Sequence, residues 1–152
     1  MAVIPAWAGE YVGIPFADRG RTRVGCDCWG LVRLVLAEQA GIALPCWATG
    51  YRSEADHAGV LQLTQAQKVA GPWQRVQSGD ERAFDVVELM QPVCGAHGWQ
   101  FLAIHVGVAV TAGWLLHVER ATASLLVDYR RERPVRNRIA AFWRHGELDD
   151  AA

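Results

Sequence analysis

The stretch from Phe101 to Val118 constrains the fold most strongly, because its hydrophobic pattern has the period of a β-strand. Bulky side chains alternate with small ones along it: Leu102, Ile104, Val106, Val108 and Val110 alternate with Ala103, His105, Gly107 and Ala109. A period of two is typical of a strand whose two faces differ. His105 lies on the small face, so we expect that face to admit another element of the fold at close range.

A turn at Thr111-Ala112-Gly113 predicts that this strand is the first half of a hairpin, with Trp114 to Glu119 as the returning strand. A three-residue turn pairs His105 with Glu119 and places His117 opposite Gly107. The two histidines then share a face as diagonal neighbours, about 7–8 Å apart by backbone. A two-residue turn would put them on opposite faces. We therefore predict an odd-length connection with both imidazoles on one side.

Asp27-Cys28 stands where a polar loop ends and an apolar helix begins. Leucine and valine side chains follow at helical spacing from Leu31 until Gly41 ends the run. Asp27 is a good N-cap, which places Cys28 in the first helical turn. Free backbone N–H groups and the helix dipole stabilise an anion there, and the thiolate is the nucleophilic form of cysteine. Cys26 precedes the helix and lacks that support.

These residues follow one another in a characteristic order. The chain reads Gly13-Ile14-Pro15-Phe16, then Asp27-Cys28-Trp29-Gly30-Leu31-Val32, then His105-Val106-Gly107-Val108, then Leu116-His117-Val118. This order resembles the NlpC/P60 family of papain-like cysteine peptidases, strongly from Tyr11 to Pro45 and fairly from Phe84 to Glu119. The Cys-Trp-Gly-Leu-Val variant and the ending Ala141-Phe142-Trp143-Arg144-His145 resemble members coded among phage tail genes.

The resemblance implies that Cys28 is the nucleophile, His105 the base and His117 the group that orients His105. Phe16 stands where many members have tyrosine, and Trp29 replaces the usual serine. We expect Asp27, Trp29, Phe16 and Glu119 to line the site, with Glu119 able to substitute for His117. The implied substrate is a peptidoglycan stem peptide, cut between D-γ-glutamate and a diamino acid, and the implied chemistry needs no cofactor.

Helical segments come first along the chain and strands follow, which predicts an α+β fold. By the resemblance this is a papain-like NlpC/P60 fold, with N-terminal helices packed on a central antiparallel sheet. We expect one domain over residues 1–152 with a frayed, disordered tail over 146–152. Helices are expected over 4–11, 28–40 and 53–70, the last opened by a capping box at Ser53. Strands are expected over 84–90, 101–110, 114–119, 125–129 and 139–143, with 92–98 and 130–134 as turns.

Bulk properties exclude several classes of protein. The net charge is −1, so no nucleic-acid partner is indicated. Met1 to Pro15 lacks the basic start of a signal peptide, and the uncharged run from Phe101 to Val118 has a hairpin pattern, so no membrane span is expected. We therefore expect cytoplasmic synthesis with the cysteines reduced, and association with a virion if the phage-tail resemblance holds.

Three alternatives remain open at this stage. The chain is a tail component that binds other phage tail proteins and keeps a weak or vestigial thiol site, or it is an acyltransferase that forms the same thioester. A zinc site from Cys26, Cys28, His105 and His117 is the third, although Cys-x-Cys is tighter than the usual ligand spacing.

Overall fold

Six antiparallel strands form the central sheet, in the order β3-β8-β4-β5-β6-β7, and a separate two-stranded sheet pairs β1 with β2. The computed structural model describes residues 2–53 and 56–150. Along the chain a 3-10 helix (Ala6–Tyr11) precedes β1 (Arg21–Thr22), β2 (Gly25–Cys26), α1 (Cys28–Ala40), α2 (His57–Ala70), β3 (Trp73–Val76), β4 (Val86–Gly95), β5 (Gly98–Thr111), β6 (Trp114–His117), β7 (Leu125–Asp128), α3 (Arg133–Arg138), β8 (Ile139–His145) and α4 (Gly146–Asp150). This architecture confirms the predicted α+β class.

Helix α1 has the ends that the sequence predicts. It begins at Cys28 after the extended N-cap Asp27, and it ends at Ala40 because Gly41 adopts a left-handed conformation with φ of 67°. The backbone N–H of Ile42 then closes on the carbonyl of Leu36 at 3.0 Å. The buried face carries an apolar set that faces the sheet: Leu31, Val32, Val35 and Leu36.

The two faces of the sheet bury separate hydrophobic clusters. Helix α1 packs on the face that carries the bulky side chains of β5, in a cluster with Val108, Val110 and Leu116. The opposite face carries Ala109 and Leu115, which pack with others: Val76, Val87, Leu89, Tyr129 and Phe142. The buried leucine and valine side chains of α1 therefore pack on the bulky face of β5. Valine and leucine bury more apolar area under a helix than glycine and alanine do.

The β5–β6 hairpin has the predicted register, but its turn differs from the predicted three-residue turn. Val108 pairs with Leu116 and Ala109 with Leu115, as a three-residue turn requires. The turn itself has two residues, Ala112 and Gly113, and a bulge shifts the pairing before Thr111. The inserted residue of the bulge restores the parity that a two-residue turn alone would reverse. Gly113 takes the left-handed conformation, with φ of 89°.

Several boundaries differ from the sequence expectation. Strand β4 runs on through Pro92 to Gly95, in the stretch expected to be a loop. Pro92 is tolerated because β8 stops pairing with β4 at Leu89, so the missing N–H lies on an unpaired edge. Helix α3 begins at Arg133, inside the predicted turn 130–134, and continues past it to Arg138. Helix α4 occupies 146–150, where a disordered tail was expected, and residues 151–152 lie outside the described chain.

Helix α2 packs against β5, in a region where the sequence carries no catalytic motif. Its N-cap is Asp56, whose carboxylate accepts from the Gly59 N–H at 3.3 Å. The expected capping box included Glu54 and Ala55, which fall outside the described residues. Within residues 2–53 and 56–150, no helix is long and apolar enough to cross a membrane.

Candidate active site

Cys28 is the first residue of α1, and the Asp27 cap determines its position. The Asp27 carboxylate accepts from the Gly30 N–H at 2.8 Å, so one free donor of the helix end is satisfied by the cap. The Cys28 side chain is nearly buried and lies at the edge of a pocket between α1, α2 and the sheet. The positive end of the helix dipole faces the thiol at this position, which favours the thiolate.

A buried network of side chains holds Asp27 in place. Besides the cap, its carboxylate accepts from the Arg19 N–H at 3.1 Å, from Arg21 Nη1 at 2.8 Å and from the Tyr51 hydroxyl. Arg21 Nη2 also donates to the Tyr51 oxygen at 2.8 Å. Burial, followed by the hydrogen bond to Asp27, raises the pKa of Tyr51, so it stays protonated as a donor. Sequence reasoning missed Arg21 and Tyr51, because no local pattern links them to Asp27.

The other cysteines have different surroundings. Cys26 is fully buried, and burial followed by the charge of Asp27 raises the pKa of its thiol to about 12. A thiol with that pKa is a poor nucleophile at neutral pH. Cys46 is exposed, and a hydrogen bond from the Ala48 backbone is the largest cause of its lowered pKa. The lowered pKa of Cys46 therefore has a cause that lies outside the site.

His105 and His117 lie on the same side of the hairpin and are hydrogen-bonded to each other. His105 Nε2 is 2.9 Å from His117 Nδ1, and both rings are buried. The prediction that the two imidazoles share a side is confirmed. Burial is the largest cause of the lowered pKa of each ring, with the charges of His117 and Arg138 lowering the pKa of His105 further. Both rings are neutral at pH 7, which leaves them able to accept a proton.

The hydrogen bond between the rings decides which nitrogen of His105 can act as a base. One ring must donate and the other accept, because neutral imidazole has one N–H. When His105 donates through Nε2 to His117 Nδ1, its Nδ1 has a free lone pair. In this tautomer His117 carries its own proton on Nε2. His117 can therefore hold His105 in a tautomer whose Nδ1 accepts a thiol proton.

Glu119 lies beside the imidazole pair, as expected for its position two residues after His117. Its Oε1 is 3.8 Å from His105 Nε2 and 2.6 Å from Arg138 Nη1. Arg138 also donates from Nε to the Met90 carbonyl at 2.9 Å, which fixes the guanidinium at the end of α3. Glu119 therefore raises the pKa of His117 while Arg138 lowers it. The role of Arg138 was missed because the sequence indicated no helix at this position and no local pattern links Arg138 to Glu119.

His105, His117 and Glu119 form a group whose side-chain atoms have the spacing of metal ligands. One nitrogen or oxygen atom from each of His105, His117 and Glu119 lies within 4.8 Å of the others, and in the described part of the chain no cysteine joins such a group. The zinc alternative built on Cys26 and Cys28 is therefore not assembled. Arg138 already neutralises Glu119, and its positive charge opposes a cation at this place.

Cys28 lines an apolar pocket of about 90 Å³. Trp29 forms part of that lining and stacks on Trp47 with ring centroids 4.6 Å apart, while its Nε1 donates to the Pro45 carbonyl at 2.9 Å. Phe16 is half-buried, and the Arg120 guanidinium lies 5.2 Å from its ring. The structure thus brings His105, His117 and Glu119 together, and Asp27, Cys28 and Trp29 together. The contact of Cys28 with His105 stays a prediction.

Comparisons with known proteins identify the family. The model of the NlpC/P60 family matches residues 13–144. The chain belongs to the NlpC/P60 family. This is a family of cysteine peptidases, so the predicted family and enzyme class are confirmed. No curated protein sequence matches the chain.

Two solved structures have the same fold. The NlpC/p60 domain of the peptidoglycan hydrolase SagA is 20% identical, with a TM-score of 0.54, over 90% of this chain and 92% of that one. A protein of the NLP/P60 family from Staphylococcus aureus, described as similar to lipoprotein, is 19% identical with a TM-score of 0.56. That match covers 91% of this chain and 38% of the other. At these identities the likeness shows the fold alone.

Proposed function

We propose that this chain is a cysteine peptidase that hydrolyses amide bonds in peptidoglycan stem peptides, of the kind that join D-γ-glutamate to a diamino acid. The observation that carries the proposal is the placement of Cys28 at the capped start of α1, at the edge of a pocket. The family and the SagA hydrolase domain support the substrate class, because SagA acts on peptidoglycan and has the same fold.

The proposed reaction uses the thiol and the imidazole pair. His105 Nδ1 accepts the Cys28 proton as Sγ attacks the amide carbonyl carbon. The tetrahedral oxyanion is stabilised by the Cys28 backbone N–H at the helix start. His105 then gives its proton to the leaving amine, and the C–N bond breaks to leave a thioester. Water, deprotonated by His105, hydrolyses the thioester and restores the thiol.

Digestion of purified peptidoglycan, followed by mass analysis of the released peptides, tests this function. We expect the wild-type chain to release fragments that begin with the diamino acid, and Cys28→Ala to release none. Fragments that end elsewhere would show a different bond specificity. Intact stem peptides after treatment with folded wild-type protein would contradict the proposal.

The division of roles between the two histidines has its own test. His105→Ala removes the base and should lose nearly all hydrolysis. His117→Ala should lose less, because Glu119 or water can orient the remaining ring. The rate ratio between these two variants measures the difference. Equal residual rates would contradict the assignment of base and orienting group.

We further propose that the peptidase acts as part of a phage tail, made in the cytoplasm and carried in the virion. The support is the Cys28-Trp29 variant of the motif and the ending at Ala141 to His145. Proteomic analysis of purified virions from a host strain that carries the gene tests this setting. Absence of the chain from tails whose other proteins are all detected would contradict it.

A further inference from the structure

The pocket beside Cys28 has one cationic side chain among the described residues that line it, and this is Lys68 of α2. Its ammonium group lies 2.6 Å from the Glu88 carboxylate of β4. Glu88 is buried, whereas the Lys68 side chain is 29% exposed. The pair therefore lines an apolar pocket, and Lys68 is its more exposed member. Lys68 is also the chain's single lysine.

Two hydrogen-bond donors, the Lys68 ammonium and the Trp143 indole, belong to this wall of the pocket. An ammonium group has three N–H donors, and its contact with Glu88 Oε2 engages one of them. The neighbouring Trp143, whose ring lies 5.9 Å from Lys68 Nζ, has a buried Nε1–H without an acceptor among the described residues. A buried donor without a partner costs free energy, and because this N–H has almost no accessible surface, a ligand reaches it only after the side chains around it shift.

Two other polar groups of the pocket cannot accept hydrogen bonds from Lys68 and Trp143. The Asp27 carboxylate already accepts four hydrogen bonds, and Trp73 Nε1 is itself a donor, to Gln67 Oε1 at 3.3 Å. The remaining walls are apolar or aromatic and include Trp29, Trp47, Leu63 and Val106. The pocket therefore fits a small, largely apolar group that brings a hydrogen-bond acceptor to the remaining N–H donors of Lys68.

We propose that Lys68 and Trp143 form a carboxylate-binding subsite that selects stem peptides with a free α-carboxylate on the γ-linked glutamate. This inference rests on the proposed function. In a γ-linked D-glutamate the α-carboxylate is not part of the peptide chain and lies close to the scissile amide. Lys68 supplies a charge-assisted hydrogen bond to it, and α2 becomes the element that determines specificity.

The test compares two synthetic tripeptides, L-alanyl-γ-D-glutamyl-L-lysine with a free α-carboxylate and the same peptide with that group as a carboxamide. Binding to Cys28→Ala protein is followed by tryptophan fluorescence, because no cleavage occurs and the pocket holds several tryptophans. We expect the carboxylate peptide to bind about tenfold more tightly. Lys68→Arg should keep this preference and Lys68→Met should remove it.

A double variant separates specificity from folding. Lys68→Met alone leaves Glu88 buried without its partner, so Lys68→Met with Glu88→Gln is measured as well, after circular dichroism shows that it is folded. Equal binding of the two peptides to protein with Lys68 intact would overturn the subsite. A preference that survives in the double variant, or binding of neither peptide, would also overturn it.

Failure of the carboxylate subsite and failure of the proposed hydrolase function give different results in these experiments. If wild-type protein fails to digest peptidoglycan but shows the carboxylate preference, the hydrolase proposal fails and the subsite stands. If digestion succeeds without a preference, the subsite fails alone. A third peptide, with norleucine in place of lysine, checks the alternative ligand. Binding that responds to the lysine ammonium rather than to the carboxylate assigns the pocket to a cation and contradicts the proposal.

Discussion

Cys26 and Cys28 lie two residues apart, yet their surroundings give them opposite chemistry. Cys26 is sealed in the core beside the negative charge of Asp27, and its pKa is about 12. Cys28 begins a helix and borders a pocket. We expect Cys28→Ala to abolish hydrolysis with an unchanged melting temperature. Cys26→Ala should retain activity and lower the free energy of unfolding by about 1 kcal/mol. Activity assays and denaturant titration check both; the reverse pattern would show that the nucleophile is Cys26.

The buried imidazoles predict how stability depends on pH. His105 and His117 both have a folded-state pKa below the ordinary 6.5, so the unfolded chain binds protons more readily in acid. Their stabilising contribution is full above pH 6.5 and is lost as the pH falls below it. Each unit of difference in pKa corresponds to about 1.4 kcal/mol.

Thermal unfolding over a range of pH measures this effect. The melting temperature should fall between about pH 7 and about pH 5, and His105→Gln should reduce the fall. His97→Gln, at an exposed turn, is the matched control and should follow the wild-type curve. A His105→Gln curve that parallels the wild type would contradict the buried, neutral state of His105.

The β5–β6 hairpin depends on the absence of a side chain at Gly107. A Cβ at this position would lie 2.6 Å from Leu115 Cδ1, 2.8 Å from the Leu116 carbonyl oxygen and 3.0 Å from His117 Cβ. Gly107→Ala should therefore destabilise the fold by about 1–3 kcal/mol and reduce hydrolysis by displacing His117. Gly95→Ala, whose nearest contact is 3.5 Å, is the control in the neighbouring strand. Equal stability of the two variants in urea titrations would refute the close packing at Gly107.

The N-cap residues of α1 and α2, Asp27 and Asp56, should contribute differently to the free energy of unfolding. Asp27→Ala removes the helix cap and leaves Arg21, with a side chain only 10% exposed, without its carboxylate partner. We expect a loss of about 3 kcal/mol or more in the free energy of unfolding. Asp56→Ala removes the cap of α2 and the contacts of Asp56 with Arg52, but Arg52 is exposed and is not left buried without a partner, so the loss should be smaller. Chemical denaturation of both variants checks the order, and an equal loss would show that the Arg21 network adds nothing.

Local patterns were sufficient to predict the parts of the fold that local physics determines. The Asp27 cap, the length of α1 and its end at Gly41 follow from capping and spacing. The pairing of Val108 with Leu116 was also predicted, although the turn and bulge that produce it were not. Alternation along a strand shows which residues share a face of the sheet. It does not show where a bulge inserts the residue that changes the pairing.

Across the whole molecule, the features that sequence reasoning missed are those that depend on distant segments. Tyr51 donates a hydrogen bond to Asp27, which lies 24 positions earlier in the chain. Arg138 donates to Glu119 from α3, a helix that the sequence did not predict. The sheet face on which α1 packs was not predicted, because it depends on how much apolar area each whole face of the sheet can bury. Lys68 of α2 meets Glu88 of β4 only when the fold is complete.

The central claim is that His105 activates Cys28, and the pH dependence of thiol alkylation tests it most directly. The exposed Cys46 and Cys94 are first replaced by serine, because Cys46 would otherwise react. Iodoacetamide labelling of Cys28 is then followed by intact mass in the remaining protein and in its His105→Ala variant. We predict that alkylation at neutral pH is slower by about tenfold or more without His105. Identical rates across the pH range would contradict the pairing of thiol and imidazole.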